Sequence, residues 1–242
     1  MTTTPTPDAA DATAVAEASS LEAAVKPRRT RASLGPFRPH LLERIGGLAF
    51  IVAPLLHVAG MATSPVQTEP GEAGYIASLA ADPALSIASA TLLHYGWVAF
   101  AIAAVAGRGL LRGTRGSVWL PIAAVVLLIG SIQMSGLLLS DWFLISAGNV
   151  LPMDQAVLMD ETAKNDLMVG IWQITGLVGG LAGLMAYSLG LARAGVVPWW
   201  IAPFGGLAWL VPMVVSGPIA IVLIALFFAP FYVAGVRLVT KR

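Results

Sequence analysis

Residues 199–238 read WWIAPFGGLAWLVPMVVSGPIAIVLIALFFAPFYVAGVRL, an apolar run whose only charge is Arg237. As a single helix these residues would extend roughly 60 Å, twice the hydrocarbon thickness of a bilayer. The run must therefore turn. Pro212, Gly217 and Pro218 sit at its centre and supply the means, because proline ends a helix and glycine permits a tight reversal. The spacing predicts one helix over 199–215 and another over 218–238. This division makes the difference between five and six membrane helices.

Four further apolar segments precede the run, at about 45–63, 85–106, 118–146 and 166–192. Charge tests the count of six independently. Thirteen of the fourteen Lys and Arg residues fall in the N-terminal segment, in 107–117, in 193–198 or from Arg237 onward. Lys164 is the exception. The alternate connections, 64–84 and 147–165 with the adjoining helix ends, hold Glu69, Glu72, Asp82, Asp141, Asp154, Asp160, Glu161 and Asp166. Six helices place every basic segment on one side, as the positive-inside rule requires, and both termini are expected in the cytoplasm. Five would put the RLVTKR tail on the wrong side.

Composition agrees with a chain whose solvent is lipid. It is 57% hydrophobic and 11% charged, where a soluble domain carries about 25% charged residues. The expected class is all-α, an integral bundle of six transmembrane helices over 45–238 in the cell membrane. The bilayer is its first partner, and nothing points to nucleic acid. There is no cysteine, which excludes disulfides, thiolate metal sites and cysteine nucleophiles. Residues 1–44 are expected to form a cytoplasmic tail. Its first 25 residues are small, polar and acidic and cannot offset the entropy of ordering. Its basic stretch 26–44 lies where anionic headgroups attract it. No short apolar region lies close to Met1, so the first membrane helix is expected to act as an uncleaved signal. Residues 239–242 form a short basic tail. Within 64–84, Tyr75, Ile76 and Leu79 at helical spacing predict a short amphipathic helix on the outer surface.

Polar groups inside a membrane are costly and face the bundle or a cavity. Apart from Ser and Thr this chain has few: His57, His94, Gln133, Asp141 and Gln173. Helix position puts His57 about 9 Å, His94 about 14 Å, Gln173 about 10 Å and Asp141 about 8 Å from the outer end of its segment. This shared depth predicts one outer-half cavity. His57, His94, Gln133, Trp172 and Gln173 are its candidate ligand-binding residues, and Asp141 stands at its mouth. The plain alternative for the histidines is hydrogen bonding between helices. For Asp141, beside Trp142, it is an interfacial carboxylate; buried, Asp141 is the candidate catalytic acid. Gly170, Gly176, Gly180 and Gly183 line one face of the fourth segment, which reads first as close helix packing. Trp199 and Trp200 read as interfacial anchors. No P-loop, HExxH, GxSxG or paired-aspartate motif is present.

The stretches LLHVAGM (55–61), EPGEAGYIASLAADPAL (69–85), LLHYGW (92–97) and LARAGVVPWWIAPFGGL (191–207) resemble a broad group of uncharacterised actinobacterial polytopic membrane proteins. The resemblance spans roughly 45–238. It implies the topology and nothing about chemistry.

Three functions stay open. One is a binding or accessory protein that holds an apolar or amphiphilic ligand, or a membrane partner, in the outer cavity. Another is a membrane-embedded enzyme acting on a lipophilic, isoprenoid-like substrate. The last is a b-type haem protein ligated by His57 and His94, which requires the two imidazoles to face each other across a gap wide enough for a porphyrin.

Overall fold

Every regular element in residues 39–107 and 118–240, the part of the chain that the computed structural model describes, is an α-helix. The helices are α1 (Pro39–Thr63), α2 (Gly71–Ala81), α3 (Pro83–Ala106), α4 (Trp119–Val150), α5 (Met153–Lys164), α6 (Leu167–Arg193), α7 (Phe204–Val214), α8 (Gly217–Phe227) and α9 (Ala229–Thr240). Four of them, α1, α3, α4 and α6, are long and apolar enough to cross a membrane. The pair α8 and α9, bent by 42° at Phe228, passes as one further span. Residues 1–38 of the expected N-terminal tail and most of the basic residues, including Arg108, Arg112, Arg115, Lys241 and Arg242, lie outside the described residues, while residues 39–44, expected in the tail, form the first turns of α1.

Several helix starts follow from their first residues. The Asp82 side chain accepts a bond of 3.0 Å from the Leu85 amide, and Pro83 opens α3. Asp166 accepts from the amides of Met168 and Val169 and opens α6. Both carboxylates satisfy amides that a helix start leaves unpaired, and their charge complements the helix dipole.

The long helices make a closed circuit. α1 packs on α3, α3 on α4, α4 on α6, α6 on α7, and α9 returns to α1. Small residues set the approach. Gly47 faces Gly235 and Leu238 where α1 meets α9; Gly130 lies against the backbone of Gly179 and Gly180, and Gly183 against Leu127, where α4 meets α6. The interior is aromatic. Phe50, Trp97, Phe100, Tyr187, Phe228 and Phe231 are fully buried, and Phe100 and Phe231 meet edge to face with centroids 5.1 Å apart. The outward faces are apolar as well: Leu55, Ile102, Val125, Ile129, Ile174, Val178, Val222 and Leu226 are exposed. Helices that are apolar all round need an apolar solvent.

The decisive C-terminal run turns where expected. Val215 and Ser216 are extended, and Gly217 takes φ +72, a left-handed value that glycine tolerates. The turn borders a cavity of about 430 Å³ with Met61, Pro65 and Val66 at the C-terminal end of α1. At its other end, Arg237 Nη1 donates to the Gly195 carbonyl at 3.0 Å. The helix predicted over 199–215 is shorter, however. Residues 199–203 are turns, and α7 has 11 residues, a length of about 16 Å. Pro198 and Pro203 remove amide donors there, and the chain closes through bonds from Ile201 to Pro198 and from Phe204 to Ile201. The Ser188 hydroxyl donates to the Ala202 carbonyl at 2.6 Å, so the buried part of this non-helical backbone is paired within the protein.

Two short helices change the picture at the opposite end of the bundle from Gly195. The stretch 147–165 is not a simple connection. α4 runs on to Val150, and its 32 residues span about 48 Å, well beyond a hydrocarbon core. The polar helix α5 follows, with Asp154 in its first turn and Lys164 in its last, both favourable to the helix dipole. α2 forms as predicted but does not lie free on a surface. Its Ile76 and Leu79 are buried against Leu144, Ile145 and Ala147 of α4 and Ala156 of α5. The three elements build a second small core, a cap over the end of the bundle.

Candidate functional site

Beneath the cap, between the C-terminal end of α1, α2, the start of α3 and the middle of α4, lies a cavity of about 270 Å³. Its floor is apolar, made by Ala90, Leu93 and Leu138, with Leu79 above them in the cap; Ser64, Gln67, Tyr75, Ser78, Ser86, Ser89 and Asp141 supply polar walls. Asp141 is half-buried, and its Oδ1 accepts the Tyr75 hydroxyl proton at 2.8 Å. Most of the remaining polar walls have spent their protons. Ser78 donates to the Tyr75 carbonyl, Ser86 to Leu79 and Ser89 to Gly60, at 2.7–2.8 Å. The Gln67 amide nitrogen donates to the carbonyls of Glu69 and Gly71. A hydroxyl has one proton to give and lone pairs to spare. The walls therefore offer acceptor oxygens.

A clamp holds the roof. Lys164 Nζ, at the end of α5, lies 2.5 Å from Glu72 Oε1 on α2 and 2.7 Å from Asp160 Oδ2. The lone cation of the acidic connections is thereby accounted for. Contact with Asp160 and then burial raise the Glu72 carboxyl above its ordinary range, although Lys164 pulls it down. Burial opposes the charge on Lys164, but its bonds to Asp160 and Glu72 outweigh this and hold its ammonium above the ordinary lysine range. Burial first, then the Asp141 charge, raises the Tyr75 phenol, so Tyr75 stays a donor at neutral pH. A carboxyl raised on folding favours the folded state most at low pH, and this contribution is lost as pH rises from its ordinary value through its folded one. The raised Lys164 contributes up to its ordinary value and is lost only in strong alkali. Lys164→Met leaves two carboxylates facing each other, with Asp160 only 7% exposed. We expect a cost of about 1–2 kcal/mol, moderated because the lysine is partly solvated. Amide exchange over 71–81 and 153–164, corrected for intrinsic rates, should be faster in the variant, and more so at pH 8 than at pH 5. Equal protection at both pH values would mean that the clamp does not hold the cap.

Of the residues singled out from sequence, Asp141 lines this cavity; His57, His94, Gln133, Trp172 and Gln173 do not. His57 is 2% exposed, and its Nδ1–H donates to the Ala53 carbonyl of its own helix at 2.9 Å. Its ring packs on Gly96 and lies between Trp97, Phe100 and Phe228, with centroids 4.9–5.7 Å away. His94 turns to α4 instead, with Nδ1 2.9 Å from Ser135 Oγ and 3.0 Å from its carbonyl oxygen. The bond between helices expected of both histidines is made by His94. The two imidazoles do not face each other across a gap, and packed aromatic rings occupy the space beside His57, so the residues present do not fit a porphyrin ligated by both. Gln133 Oε1 accepts from Thr175 across the α4–α6 contact. The Trp172 ring lies over Gly136, and Gln173 is half-buried on α6. Direction around each helix scatters these groups over separate interfaces. Tyr75, which the sequence presents as part of an apolar face, is the missed site residue. Its partner is 66 positions away, and no local pattern announces the pair.

Fold and site together define the class: an all-α protein with several helices long and apolar enough to cross a membrane, closed at one end by a two-helix cap over an acceptor-lined cavity. Comparison of the chain with protein-family models, curated proteins and solved structures gives no match.

Proposed function

We propose that this is a six-pass protein of the cell membrane, with both termini cytoplasmic, that binds an amphiphilic ligand in the capped cavity on the outer side. The observation that carries the binding reading is the Asp141 carboxylate, held by Tyr75 at the wall of a cavity whose floor is apolar. Binding sites are typically concave, mostly apolar and furnished with a few placed polar groups. At about 270 Å³ the cavity suits a head group and the first part of a chain rather than a whole lipid. Six passes are supported by the thirteen-to-one distribution of basic residues and by the Val215–Gly217 turn lying level with the C-terminal end of α1. α7 alone falls short of a bilayer, and the turns of 198–203, where Ile201 and Ala202 are buried and Trp199 and Trp200 exposed, extend it toward the interface.

Each part has its own test. A reporter fused after Arg242 should be active only in the cytoplasm; activity on the outside would remove the sixth crossing. For the ligand, the protein is extracted into lipid nanodiscs and its bound small molecules are identified by mass spectrometry. The wild type should carry an amphiphile that Ser78→Trp, which fills the cavity from α2, excludes. Well-folded wild type without any such molecule would sink the binding reading.

A further inference from the structure

We infer that the head group taken by the capped cavity is a primary ammonium, so that the ligand is a single-chain amine amphiphile. This rests on the binding reading above and specifies its chemistry.

Hydrogen-bond bookkeeping carries the inference. The protons of Ser78, Ser86 and Ser89 are donated to backbone carbonyls, and that of Tyr75 to Asp141. What remains toward the cavity is a carboxylate, hydroxyl lone pairs and one uncommitted hydroxyl, that of Ser64. A ligand that brings only acceptors, such as a carboxylate, phosphate or ether, finds a single free hydroxyl proton, that of Ser64, and meets the Asp141 charge. An alcohol brings one donor. A primary ammonium brings three donors and no acceptor, together with the charge that Asp141 lacks. A quaternary ammonium has the charge without the donors.

The surroundings have the same sign. Among the described residues Asp141 makes no ion pair, since the two present join Lys164 to Glu72 and Asp160. Lys164 is the single described cation at the capped end, against Glu69, Glu72, Asp82, Asp141, Asp154, Asp160, Glu161 and Asp166. A cleft among charges of one sign concentrates the opposite ion. The apolar floor of Ala90, Leu93 and Leu138 receives the first methylenes of the chain.

The test uses the full chain in phosphatidylcholine nanodiscs with four probes of equal chain length: decylamine, decyltrimethylammonium, decanol and decanoate. Binding is read by native mass spectrometry and by the fluorescence of the protein, with empty nanodiscs correcting for partition into lipid. Decylamine should bind one per protein, about tenfold or more tighter than decanol and also tighter than the quaternary probe. Decanoate should be weakest. Asp141→Asn, which keeps the size of the side chain, should bring decylamine to within about twofold of decanol. Equal affinity for decylamine and decanol in the wild type would overturn the inference whether or not the variant folds, as would a preference that survives Asp141→Asn. If an amphiphile without an amine co-purifies and no probe binds, the binding reading stands and the ammonium assignment falls. If nothing co-purifies and no probe binds, both fall.

Discussion

Gly183→Ala will cost at least about 3 kcal/mol of stability, while the same change at Gly170, near the start of the same helix, will be neutral or stabilising. A β-carbon at Gly183 would lie 2.5 Å from Leu127 Cα and 2.8 Å from its nitrogen. These are backbone atoms of α4 and cannot swing aside. The two helices must part along their length, which also opens the facing contact of Gly130 with Gly179 and Gly180. Overpacking that side chains can absorb costs about 1–3 kcal/mol; here no side chain is available to yield. At Gly170 the nearest atom to a β-carbon is the Lys164 carbonyl at 3.9 Å, so alanine brings only its better helix propensity, about 1 kcal/mol. The check is the thermal midpoint of both variants in the same detergent. Equal midpoints would mean that α4 and α6 are not in backbone contact.

His57 offers the second large effect and reverses the ordinary expectation for a buried polar residue. His57→Ala should cost about 2–4 kcal/mol, because it opens a hole among Trp97, Phe100 and Phe228. His57→Leu should stay within about 1.5 kcal/mol of the wild type or exceed it. The imidazole makes one bond, to a carbonyl of its own helix, and its Nε2 is buried with no hydrogen-bond partner. Leucine fills the space and removes that orphaned acceptor, whose burial itself costs about 1–3 kcal/mol. His94→Leu provides the contrast, since it strips Ser135 of a partner on the neighbouring helix. Unfolding midpoints of the three variants rank them. A leucine at 57 that is as damaging as alanine would show that the ring does more than fill space.

Helix existence was legible because it depends on local composition. Runs such as 85–106 and 166–192 are apolar over a bilayer's length, and the structure ends them within two residues of that reading, at Pro83–Ala106 and Leu167–Arg193. The reversal near Gly217 was legible for the same reason, since Pro212, Gly217 and Pro218 act on their own backbone. α5 escaped because it is mostly polar and its few apolar residues, Ala156 and Val157 among them, have meaning only against α2 and α4. Trp199–Pro203 misled in the other direction, as apolar composition could not reveal that proline would replace helix by turns.

The amino-acid sequence by itself determined the lipid-facing character of the chain, the position of its long helices and the separation of its basic from its acidic connections. Hydrophobicity, proline, glycine and charge act over short spans and need no partner to be read. Only the tertiary structure decided which polar groups share a site. One residue of helix turns a side chain by about 100°, so groups at equal depth can face different neighbours. His57 was turned into an aromatic interior and His94 toward Ser135, while Asp141 met a tyrosine from a short helix 66 positions earlier. That meeting depends on Ile76 and Leu79 docking the cap onto α4, a contact between distant segments that no local pattern encodes.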